Sequence, residues 1–181
     1  MDWASLLDPR PIVVAVAGSN GAGKTTFYHA HLSSCGLRFV NADDLAEDLD
    51  LGPYEAADLA AAIRNQLIAQ RESFIFETVL SDPHGAKVAE LVRVARQGVH
   101  VVLVFIRIDS SETSRQRVSM RVMQGGHDVP DDKLESRFTR TLANLRRAIQ
   151  SLPVVVVFDH SDLSRPYRLE AVYRRGERVG P

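Results

Sequence analysis

The sequence predicts an α/β fold, with a mostly parallel sheet of five to six strands flanked by helices and a helical lid. Two observations carry this prediction. Short apolar runs alternate with longer segments of helical period, which is the pattern of a parallel sheet with helical crossovers. A length of 181 residues, 45% of them hydrophobic and 25% charged, suits a single domain with one buried core over residues 1–181.

Five apolar runs are predicted to form buried strands, at residues 12–17, 38–40, 73–77, 99–106 and 154–158. Helices are predicted to begin near Lys24, Asp43, Tyr54, Pro83, Ser111 and Pro130, several of them at the Ser, Asp or Pro residues typical of helix starts. Residues 124–130 read QGGHDVP, and their glycines and proline indicate an exposed, mobile connection between two helices. We therefore predict a lid over about residues 111–140. Residues 168–179 are predicted to form an edge strand or a hairpin around Gly176.

Charge and cysteine content argue against several classes of function. The net charge of −1 disfavours a domain that wraps nucleic acid in a basic surface. Cys35 is the only cysteine, so neither an intrachain disulfide nor a site of several thiolates can form, and a reducing cytoplasm fits best. No apolar run approaches the roughly 18 residues of a membrane span, and residues 1–10 lack a signal-peptide pattern. We therefore expect a cytoplasmic protein that does not enter a membrane.

A glycine-rich loop follows the first predicted strand and precedes a helical segment. Residues 18–25 read GSNGAGKT, which matches the P-loop signature G-x-x-x-x-G-K-[ST]. The glycines let backbone N–H groups turn toward phosphates, Lys24 reaches the β- and γ-phosphate oxygens, and the Thr25 hydroxyl takes a position on Mg²⁺. The alternative is a glycine-rich turn with an accidental lysine, which the strand-loop-helix context disfavours. The predicted nucleotide-binding residues are Gly18, Ser19, Asn20, Gly21, Ala22, Gly23, Lys24, Thr25 and Thr26.

The loop predicts a P-loop NTPase fold that binds ATP with Mg²⁺. ATP is favoured over GTP because the sequence has no Asn-Lys-x-Asp tetrapeptide to read guanine. The nearest segment, residues 159–162, reads DHSD and lacks the Asn-Lys pair.

Carboxylates follow two of the other predicted strands, at the sheet edge where such folds bind ligands. Asp43 comes after the second strand and is predicted to accept the proton of an attacking hydroxyl; helix capping is the alternative role. Glu77 ends the third strand and is predicted to hold the substrate hydroxyl or, through water, the metal. A solvent-exposed strand end is the alternative there. Asp109 follows the fourth strand, where a loop cap is the favoured interpretation.

Arginines lie on both sides of the predicted lid connection. Arg117 and Arg121 share one helix face before it, and Arg137 shares a face with Arg140 and Asn144 after it. Such a lid can neutralise the charge that phosphoryl transfer spreads over three oxygens. We therefore predict transition-state roles for Arg117, Arg121 and Arg137, with a solvated helix face as the alternative. His127 lies in the connection itself, where a lone histidine is more often incidental.

The order of these motifs resembles the zeta-toxin family of P-loop kinases, and more closely its branch described as predicted ABC-type ATPases. The segments that carry the likeness are GSNGAGKT, FVNADDLA, FIFETVLS, RVSMRVMQGGHDVP, TLANL and VFDHS, within residues 12–161. No LSGGQ-like signature supports the name ABC-type. The resemblance implies a fold similar to nucleotide and antibiotic kinases. It also implies phosphorylation of UDP-N-acetylglucosamine, and an antitoxin partner that blocks ATP binding.

Carried over by residue, the resemblance implies phosphate binding by Lys24, metal binding by Thr25 and a catalytic base at Asp43. It implies a substrate contact at Glu77, with Thr78 as a neighbour, and an ATP-clamping role for Arg117. The family's second clamping arginine is replaced here by His127, so that Arg121 or Arg137 would have to take its role.

Two other functions remain open at the level of sequence. The first is an NTP-dependent switch that hydrolyses slowly and acts through a protein partner. The second is a nucleic-acid 5′-hydroxyl kinase, which the balanced charge and the absence of aromatic residues interleaved with basic ones disfavour. The interpretation we favour is a kinase that transfers the γ-phosphate of ATP to a hydroxyl of a small molecule.

Overall fold

The computed structural model of the chain describes residues 3–123 and 130–181. Its strands are β1 (Ile12–Ala17), β2 (Arg38–Val40), β3 (Phe74–Thr78), β4 (His100–Arg107), β5 (Val154–Asp159), β6 (Arg168–Arg174) and β7 (Glu177–Gly180). They form one sheet in the order β2-β3-β1-β4-β5-β6-β7. The first five strands pair in parallel, whereas β6 pairs antiparallel with both β5 and β7.

The predicted mostly parallel α/β fold is therefore confirmed, but the sheet has seven strands rather than five to six. The difference arises at residues 168–180, which form two strands joined by a tight turn. Gly176 lies in that turn with a φ of 88°, a left-handed conformation that glycine adopts without strain.

The helices follow the predicted alternation with the strands. They are α1 (Lys24–Phe27), α2 (Ala42–Leu49), α3 (Pro53–Ala69), α4 (Ala86–Arg96), α5 (Ser111–Met123) and α6 (Asp131–Ser151). α1 continues into a π-helical turn over Tyr28–Leu32 and a 3₁₀ turn over Ser33–Cys35, and a further 3₁₀ turn lies at Trp3–Leu7. The predicted lid connection and His127 lie outside the described residues, except for Pro130, which precedes α6.

The helix predicted near Pro83 begins three residues later, at Ala86. Gly85 precedes it in a left-handed conformation with a φ of 75°. The side chain of Asp82 accepts hydrogen bonds from the backbone N–H groups of Ala86 and Lys87. These contacts satisfy donors of the first helical turn, which explains the later start.

Both faces of the sheet are covered, which is why its central strands are continuously apolar. Every residue of β1 is at most 1% exposed, and alternate residues pack to opposite sides. Val13 and Ala15 pack in the cluster that contains buried residues of α3, α4 and α6, whereas Val14 and Val16 pack with α1 and the N-terminal 3₁₀ turn. The sheet thus provides a rigid support for the loops that leave its edge.

Because β1 to β5 are parallel, their carboxyl ends meet at one edge of the sheet. The glycine-rich loop leaves β1 there, between the neighbouring strands β3 and β4. The segments after β2, β3 and β5 reach the same edge from both sides. This is the position at which open α/β sheets bind ligands.

α6 also supports the loop that follows β3. The Thr141 hydroxyl donates to the backbone oxygen of Val79 at 2.9 Å. The Asn144 side-chain amide donates to the backbone oxygens of Leu80 and Asp82, both at 2.8 Å, and is fully buried. Asn144 therefore does not lie on a solvated arginine face, but joins α6 to the end of β3.

Over residues 3–123 and 130–181, none of the helices is both long enough and apolar enough to cross a membrane.

Candidate active site

The glycine-rich loop makes a tight turn at the carboxyl end of β1. Gly18 has a φ of 154°, and a Cβ atom built on it would lie 2.5 Å from the backbone oxygen of Ile106, which no side chain allows. Gly23 has a φ of 84° and directly precedes α1. The backbone N–H of Ala22 donates to Ser19 O at 3.2 Å, which closes the turn. The backbone thus has the conformation that exposes N–H groups at a helix start to an anion.

Lys24 is the first residue of α1, directly after this turn, and is only 7% exposed. Its Nζ donates to the backbone oxygen of Ser19 at 3.2 Å and lies 3.6 Å from Glu77 Oε1. Burial lowers the pKa of Lys24 from its ordinary value, and the positive charge of Arg121 lowers it further; the negative charges of Glu77 and Asp43 oppose both effects. A buried ammonium group with so little solvation is suited to bind the oxygens of an incoming phosphate.

Thr25 and Glu77 meet directly. The Thr25 hydroxyl donates to Glu77 Oε2 at 2.7 Å. Hydroxyl and carboxylate oxygens are ligands that Mg²⁺ accepts, and Mg²⁺ usually takes few protein ligands because phosphate oxygens and water complete its octahedron. The described residues contain no group of three or more His, Cys, Asp or Glu side chains arranged around a metal position. The two residues therefore fit a Mg²⁺ ion that is held jointly with a nucleotide.

The segment after β2 places further carboxylates at this edge. Asn41, not Asp43, is the N-cap of α2, because its side chain accepts from the backbone N–H of Asp43 at 3.0 Å. Asp43 is exposed, and its charge acts on Lys24. Burial and the charges of Glu77 and Asp43 raise the pKa of Asp44, whose Oδ1 accepts from the Asn41 amide at 3.3 Å. Asp44 is a candidate that sequence reasoning missed, although it adjoins Asp43.

A cleft of about 260 Å³ opens over the loop and is lined by Gly21, Gly23, Lys24, Thr25, Thr26, Glu77, Arg117 and Arg121. The structure thus brings two of the three predicted arginines, Arg117 and Arg121, next to the glycine-rich loop of residues 18–25, which we call the phosphate loop. Arg137 is half-buried on α6 and is not among the residues that line this cleft within the described part of the chain.

Arg117 links α5 to the segment after β5. Its Nη2 donates to the backbone oxygens of His160 at 2.8 Å and Ser161 at 3.2 Å. Its Nη1 is buried and has no hydrogen-bond partner among the described residues. An unpaired guanidinium N–H beside the phosphate loop is an available donor for a nucleotide, since burying it unpaired costs free energy.

Tyr167 and His160 form a second contact with the loop that sequence reasoning missed. The Tyr167 hydroxyl donates to Gly23 O at 2.9 Å, and its ring stacks on His160 with centroids 4.0 Å apart and planes inclined by 10°. A Cβ atom at Gly23 would lie 2.8 Å from the Tyr167 hydroxyl. Burial lowers the pKa of His160, and the charge of Arg117 adds to this effect. The position of His160 just after β5 could have identified it as a candidate site residue. No sequence pattern pointed to Tyr167.

The remaining predicted residues have supporting positions. Asn20 O accepts from the Ser114 hydroxyl at 2.7 Å, which fastens the loop to α5. The Thr78 hydroxyl accepts from the backbone N–H of Leu80 at 3.2 Å and so serves its own loop. Asp109 accepts from the Thr113 hydroxyl at 2.6 Å, which agrees with the loop cap favoured from the sequence.

Comparison with known proteins identifies proteins that are similar to this chain. The family model described as Zeta toxin matches residues 50–171, about two thirds of the chain, beginning after the phosphate loop. An uncharacterized protein of Haemophilus influenzae (strain ATCC 51907 / DSM 11121 / KW20 / Rd) is 26% identical over 127 residues, which cover 67% of this chain and 88% of that protein.

Similar solved structures share the fold at low sequence identity. The AvrRxo1-ORF1:AvrRxo1-ORF2 complex with sulphate ions gives a TM-score of 0.73 at 19% identity, over 97% of this chain and 63% of the other, so that this chain spans less than two thirds of that neighbour. The same complex solved with ATP gives a TM-score of 0.72 at 20% identity, with the same coverage of both chains. The PezAT toxin-antitoxin system of Streptococcus pneumoniae gives 0.63 at 15% identity, covering 87% and 73% of the two chains. Shikimate kinase from Acinetobacter baumannii in complex with shikimate gives 0.54 at 14% identity, covering 80% and 83%.

Proposed function

This chain belongs to the zeta-toxin family, and from that premise we propose that it is a kinase that transfers the γ-phosphate of ATP to a hydroxyl group of a small molecule. One observation carries the proposal. The buried Lys24 of the phosphate loop and the Thr25 hydroxyl both converge on Glu77, which reaches them from the neighbouring strand β3. A nucleotide-binding loop and a carboxylate on the acceptor side are thereby held in contact.

The described side chains have complementary roles in the proposed transfer. Asp43 accepts the proton of the acceptor hydroxyl as its oxygen attacks the γ-phosphorus. A new P–O bond forms to the acceptor, while the bond to the β,γ-bridging oxygen breaks and that oxygen leaves on ADP with the electron pair. Lys24, Arg117 and Arg121 bind the phosphate oxygens on which negative charge accumulates.

Mg²⁺ fits the site through the oxygens of Thr25 and Glu77, and when bound it supplies charge neutralisation of the triphosphate. Glu77 also positions the acceptor hydroxyl, with Thr78 at its side. The neighbour solved with ATP supports ATP as the phosphate donor, and the lack of a guanine-reading tetrapeptide agrees with it. Arg137 enters the proposal only as a residue of the lid, since it does not line the cleft in this conformation.

UDP-N-acetylglucosamine is our leading candidate for the acceptor, and this choice rests on membership of the family. An antitoxin protein is the proposed partner, for which the likeness to the PezAT toxin-antitoxin system gives support. We propose a cytoplasmic location, where both ATP and nucleotide sugars are available.

The test is a transfer assay with the purified chain, ATP, Mg²⁺ and UDP-N-acetylglucosamine, in which mass spectrometry detects a phosphorylated sugar nucleotide. We expect product that accumulates with equimolar ADP. Formation of ADP alone, with this acceptor and with a metabolite extract, would contradict kinase activity and favour the NTP-dependent switch. A labelled single strand with a 5′-hydroxyl is included as a third acceptor, and phosphorylation of that strand alone would identify a nucleic-acid kinase instead.

A further inference from the structure

A second, unassigned feature lies between α4 and α6 and extends to the C-terminal ends of these helices, outside the cleft over the phosphate loop. Four clefts of about 330, 360, 430 and 510 Å³ open near the C-terminal ends of α3, α4 and α6. The first and the third share Val92, Arg96 and Ser151 and form one groove between α4 and α6. The fourth lies between α3 and α4, and the second lies beside the N-terminal 3₁₀ turn. We name the groove between α4 and α6 the arginine groove after its four arginines, Arg93, Arg96, Arg147 and Arg175.

The middle of the arginine groove follows one face of α4 along its whole length. Its wall from this helix consists of Gly85, Val88, Ala89, Val92, Arg93 and Arg96, whose spacing of three and four residues places them on one side. Eleven residues of helix span about 16 Å. Arg147 and Ser151 of α6 form the opposite wall. The groove is thus long and open, unlike a pocket for a single metabolite.

The floor of the groove is apolar while its rims are basic. Val88 and Leu152 are buried in the floor, and Val92 is half-buried beside them. None of the residues that line the four clefts is an aspartate or a glutamate. In a chain whose net charge is −1, this concentration of arginine at one end requires an explanation.

Compensation of helix dipoles does not account for four arginines. The two helices that end at the groove, α4 and α6, contribute about −0.5 of a charge each, about −1 together. The groove therefore retains a net positive charge of about three.

Hydrogen bonding also leaves the charge of Arg147 uncancelled. Its Nη1 donates to Asn144 Oδ1 at 2.7 Å. This acceptor is neutral. Arg93 and Arg96 are exposed on the last turns of α4.

We propose that the arginine groove binds an acidic amphipathic helix of a partner protein. The groove matches such a helix in length, an apolar face of the helix fits the apolar floor, and flanking carboxylates meet the basic rims. Nucleic acid is disfavoured because no Phe, Tyr or Trp lines the four clefts to stack on bases. The proposal concerns a face remote from the nucleotide site and does not depend on the proposed kinase activity.

The test measures fluorescence anisotropy of a labelled helical peptide of about fifteen residues, with leucines at heptad spacing and glutamates elsewhere. It is titrated with the full chain at low and at moderate salt. Two variants and one control are compared. Arg96→Glu reverses a rim charge, Ala89→Trp fills the groove without a change of charge, and Arg146→Glu is the matched control, because Arg146 is exposed on α6 and lines none of the four clefts.

We expect Arg96→Glu and Ala89→Trp each to weaken binding by about tenfold, equivalent to about 1.4 kcal/mol, and Arg146→Glu to change it by less than about twofold. Unchanged ATP affinity and thermal midpoint show that the variants are folded. The proposal is overturned if the wild-type chain does not bind the peptide at low salt. It is also overturned if Ala89→Trp leaves peptide binding unchanged, or if the control Arg146→Glu weakens binding as much as Arg96→Glu does. Tighter binding of a labelled single-stranded DNA than of the peptide, dependent on Arg96, would overturn it as well.

Discussion

At the scale of single residues, Glu77 connects the two halves of the site. One carboxylate oxygen accepts from the Thr25 hydroxyl at 2.7 Å, and the other lies 3.6 Å from the Lys24 ammonium. Thr25 and Lys24 are adjacent in the chain, whereas Glu77 comes from β3, more than fifty positions later. Direct contacts between side chains therefore join the phosphate loop to the carboxyl end of β3.

Asp43 is the residue that distinguishes a kinase from a binding module. We expect Asp43→Asn to lower kcat by a factor of about 10² to 10⁴, because the amide cannot accept the hydroxyl proton. ATP affinity should change little. The matched control is Asp48→Asn, an exposed aspartate on the same helix α2. Initial rates of ADP release in the presence of acceptor measure the effect, and an undiminished kcat in Asp43→Asn would assign the base to another residue, with Asp44 the first to test.

Tyr167 is expected to hold the phosphate loop in place. Tyr167→Phe removes the hydrogen bond to Gly23 O and should lower the free energy of unfolding by about 1 kcal/mol. The Kd for ATP should rise about threefold because the loop is less constrained. Tyr54→Phe, at a tyrosine that is 85% exposed, is the control. Equal urea denaturation and ATP titration curves for wild type and Tyr167→Phe would show that the hydroxyl has no such role.

His160 is expected to make stability depend on pH near neutrality. Because its pKa is lowered in the folded state, the unfolded chain binds the proton more tightly, and the free energy of unfolding falls as pH drops through the unfolded value of about 6.5. We predict that His160→Gln loses less stability between pH 7.5 and about 5.5 than the wild type does. Thermal unfolding at several pH values tests this, with exposed His84→Gln as the control. A wild-type slope retained in His160→Gln would contradict the account.

At the scale of elements, α6 is tied to the loop after β3 by side chains rather than by apolar packing alone. Asn144→Ala leaves the backbone oxygens of Leu80 and Asp82 without their donors, and it should lower the free energy of unfolding by about 1–3 kcal/mol. Gln150→Ala, at an exposed position of the same helix, should change it by less than about 0.5 kcal/mol. Chemical denaturation compares the two. Similar values for both variants would mean that the buried amide is replaced by water.

The strands and helices were largely predictable because their signals are local. The five parallel strands match their apolar runs to within a residue at each end, since strands buried on both faces must be continuously apolar. The helix predicted to begin near Pro83 begins at Ala86, because Asp82 and Gly85 form a cap that hydrophobic periodicity does not reveal. Residues 168–179 were predicted to form an edge strand or a hairpin around Gly176, and the structure has the hairpin, as β6 and β7.

The candidate site was predictable only in part. The phosphate loop carries its own motif, so the positions of Lys24 and Thr25 followed from the sequence. The contact of Tyr167 with Gly23 joins residues 144 positions apart and depends on the antiparallel return of β6. No local sequence pattern predicts such a contact. The displacement of Arg137 from the cleft likewise depends on how α6 docks, which its helical period leaves open.

At the scale of the whole molecule, the sheet separates two regions of opposite chemistry. The carboxyl ends of the parallel strands carry a compact cleft with buried Lys24 and carboxylates around it. The arginine groove lies between α4 and α6 on one face of the sheet, and it is open and about 16 Å long on α4. One sheet can therefore support a proposed catalytic site and a proposed docking surface without overlap. Loss of one function should leave the other intact.

The central claim is that the loop at residues 18–25 binds the triphosphate through its buried lysine. Isothermal titration calorimetry of Mg²⁺ and ATP into the wild-type chain and into Lys24→Ala tests it most directly. The wild type should bind one ATP per chain, and Lys24→Ala should bind at least about tenfold more weakly, because a charge-assisted contact with the phosphates is lost. An identical ATP affinity in a folded Lys24→Ala variant would contradict the claim.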